Sequence, residues 1–150
     1  MSREDGERKA KQARAFMDAI PHSRHLGIVL EYLNDGVAEG SIPYAAHLIG
    51  DPATGVIHGG AVSALMDSCA GAAVMSHPAG PSVTATLDLR IDYMRPATPD
   101  QAVFCRAECY NMTRAVAFVR VTAYDDDRNR PVATANGAFA VERPAKAKAT

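Results

Sequence analysis

Gly55-Val56-Ile57-His58-Gly59-Gly60-Ala61-Val62-Ser63-Ala64-Leu65-Met66-Asp67-Ser68-Cys69-Ala70-Gly71-Ala72-Ala73-Val74-Met75-Ser76 is the stretch around which the chain is arranged. From Ala61 to Met75 nearly every position is apolar or small, which predicts a helix with no polar face, of the kind that lies inside a protein. Asp67 is its single charge. A lone carboxylate on such a helix is costly to desolvate unless it is paired or hydrogen-bonded, so it needs a specific reason to be there. The helix opens with His58-Gly59-Gly60, where a ligand can approach bare backbone N–H groups at the positive end of the helix dipole. Singly these are weak signals: a buried Asp serves structure as readily as chemistry, and many helices begin with glycine. Their conjunction on a segment with no other charge marks a candidate site.

The flanking chain sets the class. With 150 residues, 47% hydrophobic and 22% charged, and a formal net charge of -1, it has the makeup of one globular domain without the field that nucleic acid or an anionic membrane would select. Cys69, Cys105 and Cys109 are an odd number without metal-binding spacing, as expected of a reducing compartment. The start, MSREDGERKAKQARAF, has no apolar signal region, and the central helix is short and interrupted by Asp67, so neither a leader nor a membrane span is expected and the expected location is cytoplasmic. His22 and His25 lack a third ligand in a segment that reads as a loop, and no metal site is expected.

Ser2 to Ala19 reads as an amphipathic helix with Ala10, Ala13, Phe16, Met17 and Ile20 at spacings of three and four, stopped by Pro21. Leu26–Leu33 and Val37–Tyr44 read as strands joined at Asn34-Asp35-Gly36, and Ala45–Ile57 reads as a loop that delivers His58. After the break at His77-Pro78-Ala79-Gly80-Pro81, Ser82–Arg95 alternates strictly. Val83, Ala85, Leu87, Leu89, Ile91 and Tyr93 are predicted on one face of a half-buried strand, with Thr84, Thr86, Asp88, Arg90 and Asp92 on the other. Gln101–Tyr110 and Thr113–Tyr124 predict a hairpin about Asn111-Met112, and Val132–Val141 a last strand. Consecutive strands around one apolar helix predict an α+β architecture, an antiparallel sheet wrapped around that helix. The expected organisation is a lead-in over 1–25, a domain over 26–142 and a disordered tail over 143–150.

Gly55-Val56-Ile57-His58-Gly59-Gly60, then Ala64-Leu65-Met66-Asp67, then Leu89-Arg90-Ile91-Asp92-Tyr93-Met94-Arg95-Pro96, resemble the hot-dog-fold acyl-CoA thioesterases, most closely the phenylacetate-pathway (PaaI-type) branch. The resemblance covers Leu26 to Val141. It implies a hydrolase acting on an acyl-CoA, with coenzyme A as part of the substrate and no cofactor. It also implies Asp67 as general base or nucleophile, the Gly59 N–H as the group that polarises the thioester carbonyl, and a positioning hydroxyl at Thr86. His58 and Gly60 fall in the same substrate-binding turn. Relatives carry an Asn shortly before this turn, where the chain has Asp51-Pro52-Ala53-Thr54. An ionised Asp51 cannot donate the hydrogen bond an Asn would. Arg90, Arg95 and Arg114 are candidates for the CoA phosphates.

Two other readings compete. A hot-dog hydratase or dehydratase would use His58 as its base, and a non-catalytic module would bind acyl-CoA without turnover; release of thiol separates both from a thioesterase. Gly59 and Asp67 stand eight residues apart, roughly 12 Å along a straight helix. A carbonyl held at Gly59 is then out of attack range, about 3 to 3.5 Å, of the same chain's Asp67. A homodimer with sites shared between two chains is expected, and the resemblance adds a dimer of dimers.

Overall fold

The computed structural model describes residues 3–143. Two helices, α1 (Arg3–Ala19) and α2 (Pro21–Leu26), lead into the hairpin β1 (Val29–Asn34) and β2 (Val37–Ile42). A 3-10 turn at Ala46–Leu48 and the small strands β3 (Ile49–Asp51) and β4 (Val56–Ile57) deliver the chain to the long helix α3 (Gly59–Ser76). The strands β5 (Val83–Tyr93), β6 (Val103–Met112), β7 (Val116–Tyr124) and β8 (Ala133–Glu142) follow. Six strands form one sheet in the order β1-β2-β6-β7-β8-β5, every pair antiparallel, and β3 pairs with β4 separately. This is the α+β arrangement expected of the hot-dog fold, with the sheet curved about α3.

One side of α3 makes the core. Leu65, Met66, Cys69, Ala70, Ala73 and Val74 are fully buried, packed with Ala38 and Ile42 of β2, Val103, Cys105 and Ala107 of β6, and Val119 and Val121 of β7. The helix is not enclosed all round, however. Ser63, Ala64, Asp67, Ser68, Gly71 and Ala72 are half-exposed and Met75 is exposed, a stripe at helical spacing that the described chain covers only in part. Apart from Asp67 and Met75 these side chains are small, so hydropathy could not separate the stripe from the face that packs on the sheet.

The local departures have local causes. Pro21 sits at the first position of α2, where its missing N–H costs nothing, and His22 and His25 lie on that helix rather than in a loop. The His47 Nε2 donates to the His25 carbonyl at 2.8 Å. The β6–β7 turn falls at Thr113-Arg114-Ala115, beyond the expected Asn111-Met112, because the Thr113 hydroxyl exchanges hydrogen bonds with the Val116 backbone. Asp35 and Gly36 both have positive φ, as a tight two-residue hairpin requires. Of the apolar residues expected to bury one face of α1, Met17 is buried and Ile20 half-buried, but Phe16 is 67% exposed. Ser2 and the tail beyond Arg143 lie outside the described residues.

The decisive departure is in β5. Its pairing with β8 runs in register from Val83↔Glu142 to Thr86↔Phe139, then resumes at Asp88↔Ala138 and continues to Tyr93↔Ala133. Leu87 is the extra residue of a β-bulge, so the alternation inverts there. Thr84 and Thr86 oppose the buried Val141 and Phe139, whereas beyond the bulge it is Leu89, Ile91 and Tyr93 that oppose Gly137, Ala135 and Ala133. The face turned toward α3 thus carries threonines at one end and apolar residues and a tyrosine at the other. Strict alternation cannot give that face, because Thr86 and Tyr93 are an odd number of residues apart. Nor is the strand half-buried: it is the sheet edge, and Val83, Leu87 and Tyr93 are each more than half exposed.

Gly137 makes the bulge possible. A Cβ there would stand 2.5 Å from the Asp88 carbonyl oxygen, and the Asp88 carboxylate accepts the Ala138 N–H at 3.1 Å. We expect Gly137→Ala to cost about 1 to 3 kcal/mol by overpacking. Urea denaturation measures this, and a variant as stable as the parent would show that the bulge tolerates a side chain.

Past β5 the chain is clamped by Arg95. Its guanidinium makes a bidentate pair with the fully buried Asp125 carboxylate at 2.7 and 2.5 Å and also donates to the carbonyls of Arg130 and Pro96. Asp125 accepts further bonds from the Thr98 N–H and hydroxyl. The guanidinium first, with the Thr98 bonds adding to it against the opposing effect of burial, holds the Asp125 carboxyl far below the usual carboxylate range. The native state therefore keeps Asp125 ionised where the unfolded chain protonates it, so this stability is present above a pH of about 4 and lost as the pH falls. Asp125→Asn should cost about 2 to 4 kcal/mol at pH 7. The gap from the parent should narrow between pH 5 and 3; denaturant midpoints with an unchanged gap would refute the linkage.

Candidate active site

The open stripe of α3 brings Asp67 to the surface of a cleft rather than into the core. Its carboxylate accepts the Thr86 hydroxyl at 2.8 Å, a bond that exists because the bulge leaves Thr86 facing the helix. No other donor among the described residues reaches that carboxylate, so one oxygen is oriented and the other is open to a ligand. The expected partnership of Asp67 and Thr86 is thus present in a single chain.

At the helix start three side chains fix one peptide group. The Gly59–Gly60 peptide offers its N–H to the His58 Nδ1 at 2.8 Å, and its carbonyl accepts the Tyr93 hydroxyl at 2.8 Å and the Ser63 hydroxyl at 2.9 Å. Tyr93 also packs on Gly59, its ring 3.4 Å from where a Cβ would stand. The residue before is fixed as well: the His58 N–H donates to the Leu48 carbonyl at 2.8 Å. The N–H of Gly59, at the first position of α3, has no acceptor among the described residues. It points from the positive end of the helix dipole as an unused donor, the arrangement a developing oxyanion requires.

As the acceptor of the Gly60 N–H, the His58 Nδ1 carries no hydrogen, and the ring's N–H is at Nε2. In that tautomer the ring caps the helix and presents a donor, so it is not poised as the general base that a hydratase would need. The Gly60 N–H is engaged by the same contact.

Sequence reasoning missed Ser63 and Tyr93 as parts of the site. Ser63 lies four residues after Gly59, within reach of its carbonyl, and Tyr93 lies inside the quoted Leu89–Pro96 motif. The bulge that brings Thr86 to the same side as Tyr93 had no sequence signal, since Leu87 fits the apolar alternation.

Between α1, α3 and β5 lies a cleft of about 870 Å³ with Asp67 and Thr86 among its walls, together with Phe16, Met17, Gly71, Ala72, Met75 and Phe139. The remaining expected residues stand apart from it. Asp51 closes its own turn, accepting the Ala53 N–H at 3.0 Å and the Thr54 hydroxyl at 2.7 Å, and the Thr54 bond foremost lowers its pKa. Arg95 is occupied by Asp125. Arg90 lies on β5, largely exposed, within 3.2 Å of Asp92, and Arg114 is exposed in the β6–β7 turn. Cys69, Cys105 and Cys109 are buried free thiols, and no helix among the described residues is long and apolar enough to cross a membrane.

Comparison with known proteins agrees with this geometry. The family model for the thioesterase superfamily matches residues 54–132, from the approach to His58 through β5 to the start of the last strand. A Pseudomonas aeruginosa protein of known crystal structure is 40% identical, with a TM-score of 0.78 over 88% of this chain and 98% of its own. A mutant of the phenylacetic acid degradation protein PaaI from Thermus thermophilus is 28% identical, with a TM-score of 0.71 over 81% of this chain and 98% of its own. The medium/long-chain acyl-CoA thioesterase YigI of Salmonella typhimurium is 25% identical, matching 75% of this chain and 81% of its own length. With a helix-start donor, a hydroxyl-held carboxylate on the same helix and a matching family model across both, the chain belongs to the thioesterase superfamily, with PaaI proteins among its structural neighbours.

Proposed function

We propose that the protein hydrolyses an acyl-CoA thioester to the free acid and CoA, without a cofactor. The observation that carries this reading is the pairing of an unengaged Gly59 N–H with a Thr86-oriented Asp67 on the open stripe of one helix. Superfamily membership supports the reaction class.

In this reading the thioester carbonyl oxygen lies at the Gly59 N–H, where the positive end of the helix stabilises the charge that builds as the carbonyl carbon becomes tetrahedral. Asp67 either removes a proton from the attacking water or attacks the carbon itself to give an anhydride that water then opens. Both routes expel the CoA thiolate, which takes up a proton. Thr86 holds the Asp67 carboxylate in one orientation. Arg90 and Arg114, the exposed members of the arginine set, are assigned to the CoA phosphates.

Along one helix the two groups are too far apart to act on one carbon, so the working unit is a homodimer in which Asp67 of one chain meets Gly59 of the other. Two features support this. The α3 stripe is made mostly of small residues that allow close approach, and β5 is an edge strand with exposed Val83, Leu87 and Tyr93, a row of unpaired backbone groups beside apolar surface. An isologous contact uses both at once. Association of two such dimers into a tetramer is part of the same proposal.

Asp67→Asn keeps the shape and removes the charge, and should nearly abolish thiol release from acyl-CoA while leaving the melting temperature near that of the parent. Thr86→Ala removes an orienting hydrogen bond worth ~0.5 to 1.5 kcal/mol and should lower kcat roughly tenfold. Parent-like turnover by Asp67→Asn would make Asp67 structural and end the proposal.

A further inference from the structure

We propose that the acyl group taken by this site is a linear aliphatic chain of about eight to twelve carbons, laid along the open face of α3, with Gly71 setting its reach. This assignment rests on the thioesterase reading and specifies its substrate.

The cleft begins at Asp67 and Thr86 and follows the stripe through Gly71 and Ala72 to Met75. From Asp67 to Met75 is eight residues, roughly 12 Å of helix, the reach of about nine or ten extended methylenes at ~1.25 Å each. A ring one methylene from the thioester would fill only the near half of that length. The far half offers little polar recognition, because most of its polar groups are already engaged, the exposed Gln12 side chain and the His77 Nε2 being the exceptions. The Ser76 hydroxyl donates to the Ala73 carbonyl and accepts the Gly36 N–H, each at 3.0 Å. The Thr84 hydroxyl donates to the Ala140 carbonyl at 2.9 Å, the Ser82 hydroxyl to the Glu142 carbonyl at 3.1 Å, and the His77 Nδ1 accepts the Ala79 N–H at 3.1 Å. An acyl group bearing a hydroxyl or carboxylate against the engaged groups, away from Gln12 and His77, would lose its water without gaining a partner. A hydrocarbon chain loses nothing and gains apolar contact with every methylene.

Gly71 lies where the stripe passes the Phe139 ring. A Cβ on it would rest 3.7 Å from the Phe139 ring, in ordinary contact, so a methyl fits but a larger side chain fills the gap between helix and floor. On the opposite rim Phe16 of α1 lines the same cleft and leaves most of its ring in water, apolar surface that an acyl chain would cover.

The test is kcat/KM by thiol release across acetyl-, butyryl-, octanoyl-, decanoyl-, palmitoyl- and phenylacetyl-CoA, with calorimetric binding of the same compounds to Asp67→Asn. We expect kcat/KM to rise about fourfold per methylene up to the octanoyl–decanoyl range and then to level. Gly71→Leu should lower the decanoyl-to-butyryl ratio at least tenfold. Phe16→Ala, at an exposed position where folding is not at stake, should lower the same ratio severalfold. A preference for acetyl- or phenylacetyl-CoA, or ratios unmoved in both variants, would overturn the chain assignment while leaving the thioesterase reading intact. No turnover of any compound, with decanoyl-CoA still bound tightest and its binding lost in Gly71→Leu, would keep the chain assignment and end the thioesterase reading. Neither turnover nor binding would end both.

Discussion

The site depends on one extra residue in an edge strand. Without the bulge at Leu87, the side of β5 that faces α3 would carry either Thr86 or Tyr93 but not both, and the helix would lose either the hydroxyl that orients Asp67 or the one that holds the Gly59 carbonyl. The bulge in turn depends on Gly137, the one place on β8 where the Asp88 carbonyl can come so close. A sheet that must put polar groups at two points of a helix an odd number of strand residues apart has to change phase between them, and a bulge is the least disruptive way to do so.

The second constraint is that α3 serves two surfaces. Its large apolar residues other than Met75 are buried in the core, while small ones such as Ser63, Ala64, Ser68, Gly71 and Ala72 make most of the open stripe that carries Asp67. Small residues on a helix face let another surface approach closely, and a partner helix there would exclude water from the carboxylate and the Gly59 donor together. Stability and chemistry are thus assigned to opposite faces of one element. Two residues beyond Tyr93, the Arg95–Asp125 clamp fixes the chain as it leaves β5, so that the strand holding Thr86 and Tyr93 is anchored at its C-terminal end.

Much of this could be read from residues alone. The order of the long helices and strands, the Asn34-Asp35-Gly36 turn and the apolar helix with its single carboxylate follow from periodicity and turn chemistry, and the meeting of Asp67 with Thr86 from the resemblance carried by the Gly55–Ser76 and Leu89–Pro96 motifs. What was not legible has physical causes. Leu87 extends the apolar alternation of β5 instead of interrupting it, so the bulge is hidden by its own residue. Alanine, glycine and serine on α3 have no hydropathy contrast strong enough to reveal which stripe stays open. The hydroxyls of Ser63 and Tyr93 acquire their role only when folding brings both to one carbonyl. Arg95 looks on paper like any phosphate-binding arginine, and only the buried Asp125, distant in sequence, shows that its donors are already used.

The most direct test of a site shared between two chains is complementation by subunit exchange. Asp67→Asn is mixed with a folded variant blocked at the oxyanion donor, such as Gly59→Val, and heterodimers are confirmed by mass spectrometry. Each heterodimer then holds one site with Gly59 and Asp67 both intact, and thiol release should climb well above that of either parent variant. Confirmed heterodimers that stay as inactive as their parents, or a monomer fully active at assay concentration, would contradict the shared site.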